Sequence, residues 1–600
     1  WHAARAFFEE GGRRLYVSRI FRPNTTQSDV VYRRPTGGLS SDLSNQPQPN
    51  GDYVDGHARG WLRNGSASDN PSTSDVLTAV QVRARFPGAY GTLKLRFTLR
   101  AGRNILAVDT DGNASISGGL LENDIVWIGD SIDPISSPPG LGRFYRAEKD
   151  INSGQFRFRP SDTSPTSPLA LDTLITSPDL GEGHAVHIVT LTLAVYNEGD
   201  EEIGAWADLP LNPVHERSGE KDSLFDYFSV EPASALRARQ LPVVIQAGTS
   251  VTDGFNVLTA LFGNRHNMLQ TVTSPASEDT LDQFLQRGIV TELQLKGGND
   301  GARPELTEYE GQDNPSELFK TGLKQFEDLE DISIVAAPGS TQGYSSRPVE
   351  ARAILGLLIS HAQRMRYRIA VLDSGDALSI SEVRDLRAKL DSTYAALYYP
   401  WVRVLDPVTR AEISLPPSGF VAGIYARNDI NRAVYKAPAN EVVNLALGFE
   451  ISLNKSQQEV LNPEGINCFR YFEGRGMLLW GARTISSDPE WKYVNLRRYF
   501  AYLERSIDKG TQWAVFEPNG ERLWANVRRT VEDFLLNEWQ NGALLGDRPE
   551  KAYFVKCDRG TMSQNDLDNG RLVCQVGVAA LRPAEFVIFR IGQWTGDRKV

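Results

Sequence analysis

Between about residues 331 and 430 the chain alternates two incompatible periodicities, and this alternation constrains its fold more than any other feature. DISIVAAPG (331–339) and YRIAVLDS (367–374) are short apolar runs of the kind a strand buried on both faces requires. Between and after them SRPVEARAILGLLISHAQRM (346–365), SISEVRDLRAKLDS (379–392) and PSGFVAGIYARND (417–429) read as helices, and YAALYYPWVRVL (394–405) as a further strand. Strands separated by helices must be joined by crossover connections, which are right-handed. The expectation is an α/β fold with a parallel sheet covered on both sides.

The rest of the chain is organised around this core. AARAFFEE reads as a helix, stopped by a Gly-Gly pair and followed by RRLYVSRIF (13–21), which alternates as a strand does. That strand has no partner nearby, so the simplest arrangement places it in the later sheet. Residues 36–75 are rich in Ser, Asn, Asp, Gly and Pro and read as a surface loop. From about 77 to 275 short strand runs dominate, among them LTAVQVRARF, TLKLRFTLR, NDIVWIGDS, QFRFRP, HAVHIVTLTLAVYNE and LPVVIQAG. The expected organisation is therefore 1–23 as the start of the α/β core, 24–288 as a large inserted β-rich domain, 289–475 as the core proper, and 476–600 as a C-terminal domain. The chain begins at Trp1, in what reads as the middle of a helix, and a true N-terminus upstream of it is one reading of that start.

Charge excludes some functions. Residues 31–330 carry 25 basic and 41 acidic side chains, whereas 481–600 carry 18 and 16. An acidic surface repels nucleic acid. No apolar run reaches the ~20 residues of a membrane helix, so direct membrane insertion is not expected. Cys468, Cys557 and Cys574 have no metal-binding spacing and read as buried thiols.

Candidate chemistry is sparse. WIGDSI contains Gly129-Asp130-Ser131, the Gly-Asp-Ser of one hydrolase class, and a hydrolase with a β-rich accessory domain is the alternative reading. That class needs a downstream Asp-x-x-His. The residues three before His184, His187, His215, His266 and His361 are Gly181, His184, Asn212, Gly263 and Leu358. Without a base the serine hydroxyl is inert. His184 and His187 lie an odd number of residues apart on a strand, hence on opposite faces. DTDGN (109–113) lacks the Gly and the terminal Glu of a calcium loop, and LKGGNDGARPE lacks the Lys-Ser/Thr of a phosphate-binding loop. No catalytic, cofactor or metal site is expected, which leans towards a structural role.

One stretch stands out against the acidic background: YVNLRRYFAYLERSIDKGTQWAVFEPN (493–519). Leu496, Tyr499, Phe500, Leu503 and Ile507 form one helical face. Arg498, Arg505 and Lys509, at i, i+7 and i+11, form a basic stripe beside it. Gly510 reads as a stop, WAVFEP as a strand, and 521–540 as a second helix.

At this end the residues become specific. LKGGNDG (295–301), DISIVAAPG, PPSGFVAGIYARND (416–429), VYKAPAN (434–440), GRGMLLWGARTIS (474–486), the 493–519 stretch and RPAEFVIFRI (582–591) resemble the tail sheath proteins of contractile phages and contractile injection systems. The resemblance covers about 290–600, with 1–22 matching the start of the same core. It implies a subtilisin-like α/β core without its catalytic residues, a C-terminal α/β domain lining the inside of a sheath, and insertions decorating the outside. It further implies a subunit that polymerises helically with strand exchange around an inner tube protein and contracts to drive the tube through an envelope. Baseplate and tail-terminator or cap proteins are the expected neighbours. The particle would assemble in the bacterial cytoplasm and be released or form part of a virion. In that setting Arg498, Arg505 and Lys509 are the expected tube contacts. Glu585, Phe586, Val587, Ile588, Phe589, Arg590 and Ile591 are the expected inter-subunit strand, because an open apolar strand invites pairing.

Overall fold

The computed structural model describes the chain except for residues 24–52, 54, 69–75, 109–112, 131–142, 152, 161–167, 172–173, 175–183, 230–239, 264–283, 285–286, 314–319 and 586–600. The chain divides into two compact units, one of residues 1–20, 305–314 and 320–600, the other of 21–304 and 315–319.

The first unit is built on a six-stranded sheet. Its order is Ile334–Val335, Ile369–Asp373, Ala395–Tyr399, Ile466–Phe472, Gly476–Trp480, Glu441–Val442. The first four strands are parallel and the last two antiparallel. Continuous apolar runs form these strands because both faces are covered. Ala370 and Leu372 point into one core with Leu355, Leu358 and Leu386, while Ile369 and Val371 point into the other with Phe420, Ile424 and Tyr425. Pro348–Met365 and Ile380–Arg387 supply helices to the first core, and Ser418–Asn431 to the second. The Ile380 helix starts with a capping box between Ser379 and Glu382, which satisfies two orphan backbone donors.

The opening helix His2–Glu9 belongs to this unit and lies against Ser418–Asn431. The approach is close because two glycines permit it. A Cβ on Gly423 would stand 2.6 Å from the Phe7 carbonyl oxygen, and one on Gly419 2.7 Å from that of Ala3. Glu10 is fully buried and its carboxylate accepts from Arg427 at 2.7 Å and from the Asn444 amide at 2.6 Å. Burial raises its pKa more than the Arg427 guanidinium lowers it.

Three local expectations are corrected. Residues 13–21 join no strand of the sheet. Leu15, Tyr16 and Val17 stay exposed, and the segment is held by polar contacts, Arg14 and Tyr16 donating to Asp331 and Ser18 to the Gly322 carbonyl. The 394–405 run is two strands in two sheets: after Pro400, Val402–Leu405 leaves the parallel sheet to pair with Glu412–Leu415 and Gly448–Phe449. WAVFEP is not a strand. Gln512–Ala514 is a short 3-10 turn, and Val515 and Phe516 project into solvent.

The second unit is antiparallel. Its large sheet runs Leu169–Ala170, Phe156–Pro160, Arg143–Lys149, Ile125–Asp130, His184–Tyr196, Lys94–Asn104, Ile289–Gln294, with Glu202–Leu209 also pairing His184–Tyr196. Alternation decides its cores. Ile125 and Trp127 enter one with Phe97, Phe144 and Leu191, and Val126 and Ile128 enter another with Phe158 and Val186. A four-stranded sheet of Val243–Ala247, Val80–Ala84, Arg59–Arg63 and Ser66–Ser68 contributes to the first of these cores.

Candidate functional site

The region singled out by the sequence centres on the helix Val494–Thr511. Tyr499 and Leu503 are buried against Val531 and Leu535 of the helix Glu521–Gln540 and against Leu544, Ala552 and Val555, with Ile507 beside them. Phe500 packs edge-on to Trp491, ring centroids 5.0 Å apart. Glu538 ties the two helices, its carboxylate accepting from the Tyr499 hydroxyl at 3.0 Å and the Tyr502 hydroxyl at 3.1 Å. The apolar spacing thus finds its partner one helix later in the chain.

The basic residues are not one exposed stripe. Arg498 is 6% exposed and donates through both terminal nitrogens to Asp429, one bond at 2.9 Å, with its guanidinium 4.6 Å from the Tyr425 ring centre. Burial works to lower its pKa, but the Asp429 carboxylate more than offsets this and the group is held charged. Arg498, expected as a tube contact, is instead committed to a carboxylate of its own chain. It clamps the C-terminal helix to Ser418–Asn431, because a guanidinium at that depth needs a carboxylate. Arg497, missed by the sequence reading, is also buried, between the rings of Tyr394 and Trp491 at 4.4 and 4.2 Å, and bonds Glu504 at 3.1 Å.

Further along the helix the charge comes to the surface. Arg505 is half-buried at a cavity of about 200 Å³ whose lining, among the described residues, includes Arg368, Arg497, Arg498 and a single carboxylate, Asp429. Arg368 feels this: burial first, then the neighbouring Arg505 charge, lower its pKa to about 10. Lys509 is half-exposed, with Glu330 at 3.8 Å. On the second helix Arg528 and Arg529 are exposed, each near a carboxylate four residues on.

Glu585 opens the expected inter-subunit strand. Its carboxylate is committed to its own chain, accepting from Arg483 Nε at 2.7 Å, Asn462 at 2.6 Å and the Tyr493 hydroxyl at 3.1 Å, with Lys492 at 3.7 Å. Burial raises its pKa, but these donors outweigh burial and hold it below the ordinary glutamate value. Glu585 is therefore an internal anchor. Phe586, Val587, Ile588, Phe589, Arg590 and Ile591 lie outside the described residues, as does Ser131 of the Gly-Asp-Ser motif. The Asp130 backbone pairs with His184, and His187 Nδ1 bonds the Gly102 carbonyl oxygen at 2.7 Å.

With this geometry in hand, comparison with known proteins is decisive. The phage tail sheath central domain matches residues 319–485 and the phage tail sheath C-terminal domain matches 486–593, in unbroken succession. The chain belongs to the phage tail sheath family. The family is one of structural sheath proteins rather than enzymes. A prophage major tail sheath protein of Pseudomonas aeruginosa (strain UCBPP-PA14) is 25% identical over 264 residues, covering 42% of this chain and 64% of the relative. The tail sheath protein of Burkholderia phage BcepMu is 27% identical, covering 44% of this chain and 57% of the relative. The tail sheath protein of Enterobacteria phage T4 is 24% identical and covers 34% and 30%. The chain thus spans less than two-thirds of the length of each of these curated relatives. Among solved structures, the helical sheath of the anti-feeding prophage in its contracted state is 37% identical over 45% of this chain and 72% of that one, with a TM-score of 0.39. The sheath of an extracellular contractile injection system, PVC, is 29% identical over 54% and 82%, with a TM-score of 0.40.

Proposed function

We propose that this chain is the subunit of a contractile sheath, polymerising helically around an inner tube and shortening to drive that tube through a target envelope. The match of both sheath domain models across 319–593 carries the reading. The parallel-sheet unit would be the subtilisin-like core and the antiparallel unit an outer decoration; that unit runs past the expected boundary at 288, because Ile289–Gln294 pairs within its sheet. The C-terminal domain would line the lumen; it begins after the expected boundary at 476, because Gly476–Trp480 is a strand of the core sheet. Energy for contraction would be stored in the assembled lattice, with no nucleotide hydrolysed, and baseplate and cap proteins would bound the polymer. Assembly would take place in the bacterial cytoplasm, with release in a phage or an extracellular particle.

Within that reading, Arg505 and Lys509 are the tube-facing charges, and Arg498 is the strut that holds their helix in place. What supports this is the cavity beside Arg505, where Arg368 and Arg505 stand together and the one lining carboxylate is already taken by Arg498. An acidic side chain from a tube would relieve that repulsion. Exposed pairs of this kind contribute about 0–1 kcal/mol each, weak enough to part when a sheath widens. Residues 586–591 would pair with strands of neighbouring subunits, starting just past the Glu585 anchor. Negative-stain electron microscopy of the native particle tests the assignment. Striated extended tubes that convert to shorter, wider ones are expected, and a discrete globular oligomer would overturn it.

A further inference from the structure

The C-terminal domain contains a two-stranded antiparallel ladder, Tyr553–Lys556 with Gln575–Val578, in the register Tyr553↔Val578 to Lys556↔Gln575. Ala579 N–H donates to the Ala552 carbonyl at 2.8 Å, which makes 552/579 a hydrogen-bonded pair. Hydrogen-bonded and non-hydrogen-bonded pairs alternate along such a ladder, so 554/577 and 556/575 are of the first kind and 553/578 and 555/576 of the second. One further step sets Cys557 opposite Cys574, at a non-hydrogen-bonded position. There Cα atoms approach to about 4.5 Å with side chains turned towards each other. A disulfide accepts Cα separations of about 4.4–6.8 Å. Two further observations agree. Both cysteines pack in one apolar cluster with Trp524, Val527 and Met562, and each thiol directly influences the ionisation of the other. Both are free thiols in the structure, Cys557 buried and Cys574 partly accessible.

We propose that Cys557 and Cys574 are a modification site, closing an intrachain disulfide when the protein meets a small-molecule disulfide oxidant. The more accessible member starts the reaction. Cys574 loses its proton and its thiolate attacks one sulfur of the oxidant, forming a mixed disulfide and releasing one small thiolate. Cys557, deprotonated in turn, attacks the Cys574 sulfur and expels the second. Two protein S–H bonds are exchanged for one S–S bond, and the two protons end on the two released thiols. Burial, with Cys574 beside it, pushes the Cys557 thiol up to about 12, and burial raises Cys574 as well. The low thiolate fraction makes closure slow, and the thiols of a reducing compartment would keep the pair open. Closure ties the 558–573 segment, with its short helix Gln564–Asp568, to the base of the ladder. Cys468 is the internal control: it is buried in the parallel sheet with Trp480 and Tyr399 as its strand partners.

The test uses the full chain and oxidised glutathione at mildly alkaline pH, followed by acid quench, alkylation and mass spectrometry. The intact mass should fall by two hydrogens. Trypsin should give one linked species joining 557–559 to 572–590, with Cys468 still alkylatable. The oxidised protein should melt several degrees higher than the reduced one, and Cys574→Ser should show neither the link nor the shift. Persistence of all three alkylatable thiols, a stable glutathione adduct on Cys574 beside a free Cys557, or a link through Cys468 would overturn the proposal.

Discussion

Arg498 and its neighbours on the same helix should respond to mutation in opposite ways. Arg498→Gln leaves the Asp429 carboxylate without its bidentate partner and removes the guanidinium from the Tyr425 ring. Breaking a buried pair by removing one member costs about 3–5 kcal/mol. The Arg498 side chain is 5% exposed but Asp429 retains 24%, so water partly re-solvates the carboxylate and the lower end, about 3 kcal/mol, applies. Both groups sit where Ser418–Asn431 meets Val494–Thr511, so the loss should appear as local opening there. With tenfold per 1.4 kcal/mol, amide exchange of 494–511 should quicken by about a hundredfold. The double reversal Arg505→Glu with Lys509→Glu touches no buried pair, so exchange should stay within about threefold of wild type. That double variant should nonetheless fail to form extended sheath on a tube, seen by electron microscopy of co-assembly, and rising salt should weaken the wild-type contact in the same direction. Reversing all three residues would confound the two effects, because Arg498→Glu sets a second carboxylate against Asp429. Exchange of Arg498→Gln within fivefold of wild type would refute the strut. Full-length extended particles from the double variant would refute the tube contact.

Other outcomes follow from the same structure. Truncation directly after Glu585 keeps the Arg483 anchor and removes only the terminal segment; it should give folded monomers by sedimentation, and tubes of normal length would exclude strand exchange through 586–591. His215 is fully buried between Asp124, 3.1 Å from Nε2, and Asp222, on Nδ1, with Arg217 beside Asp222. Burial lowers its pKa, but the two carboxylates outweigh this and raise it. A raised histidine pKa stabilises fully below the unfolded value of about 6.5 and loses that contribution as pH rises through the folded value. Melting of the 21–304 unit should therefore fall as pH rises above the unfolded value of about 6.5, and His215→Gln should flatten the profile. Gly423→Val drives a side chain into the Phe7 carbonyl and should cost about 1–3 kcal/mol, read as early proteolysis within residues 1–12.

Some of this protein was written locally. The apolar runs at 369–373 and 395–399 are continuous because each strand is buried on both faces, so a parallel sheet under helices was legible from 331–430 alone. The spacing of Leu496, Tyr499, Leu503 and Ile507 likewise identified a helix face that is covered. Quoted motifs of the C-terminal half carried the family, because several long segments fell in one order.

Tertiary structure decided what covers each face, and above all the fate of charges. Helical spacing puts Arg498, Arg505 and Lys509 on one side of a helix, yet whether an arginine there is a strut or a surface charge depends on whether a carboxylate waits at its depth. For Arg498 that carboxylate is Asp429, 69 positions earlier; Arg505 meets another arginine instead. Glu585 was read as the first residue of an exchanging strand because its neighbours are apolar, and it is pinned by Arg483, 102 positions away. The segment 13–21 alternates as a strand does and still takes no place in the sheet. Periodicity reports which residues share a face, because it is set by the geometry of one element. Pairing of buried charges and addition of a strand to a sheet edge depend on groups brought together only when remote segments fold, and no local pattern encodes those distances.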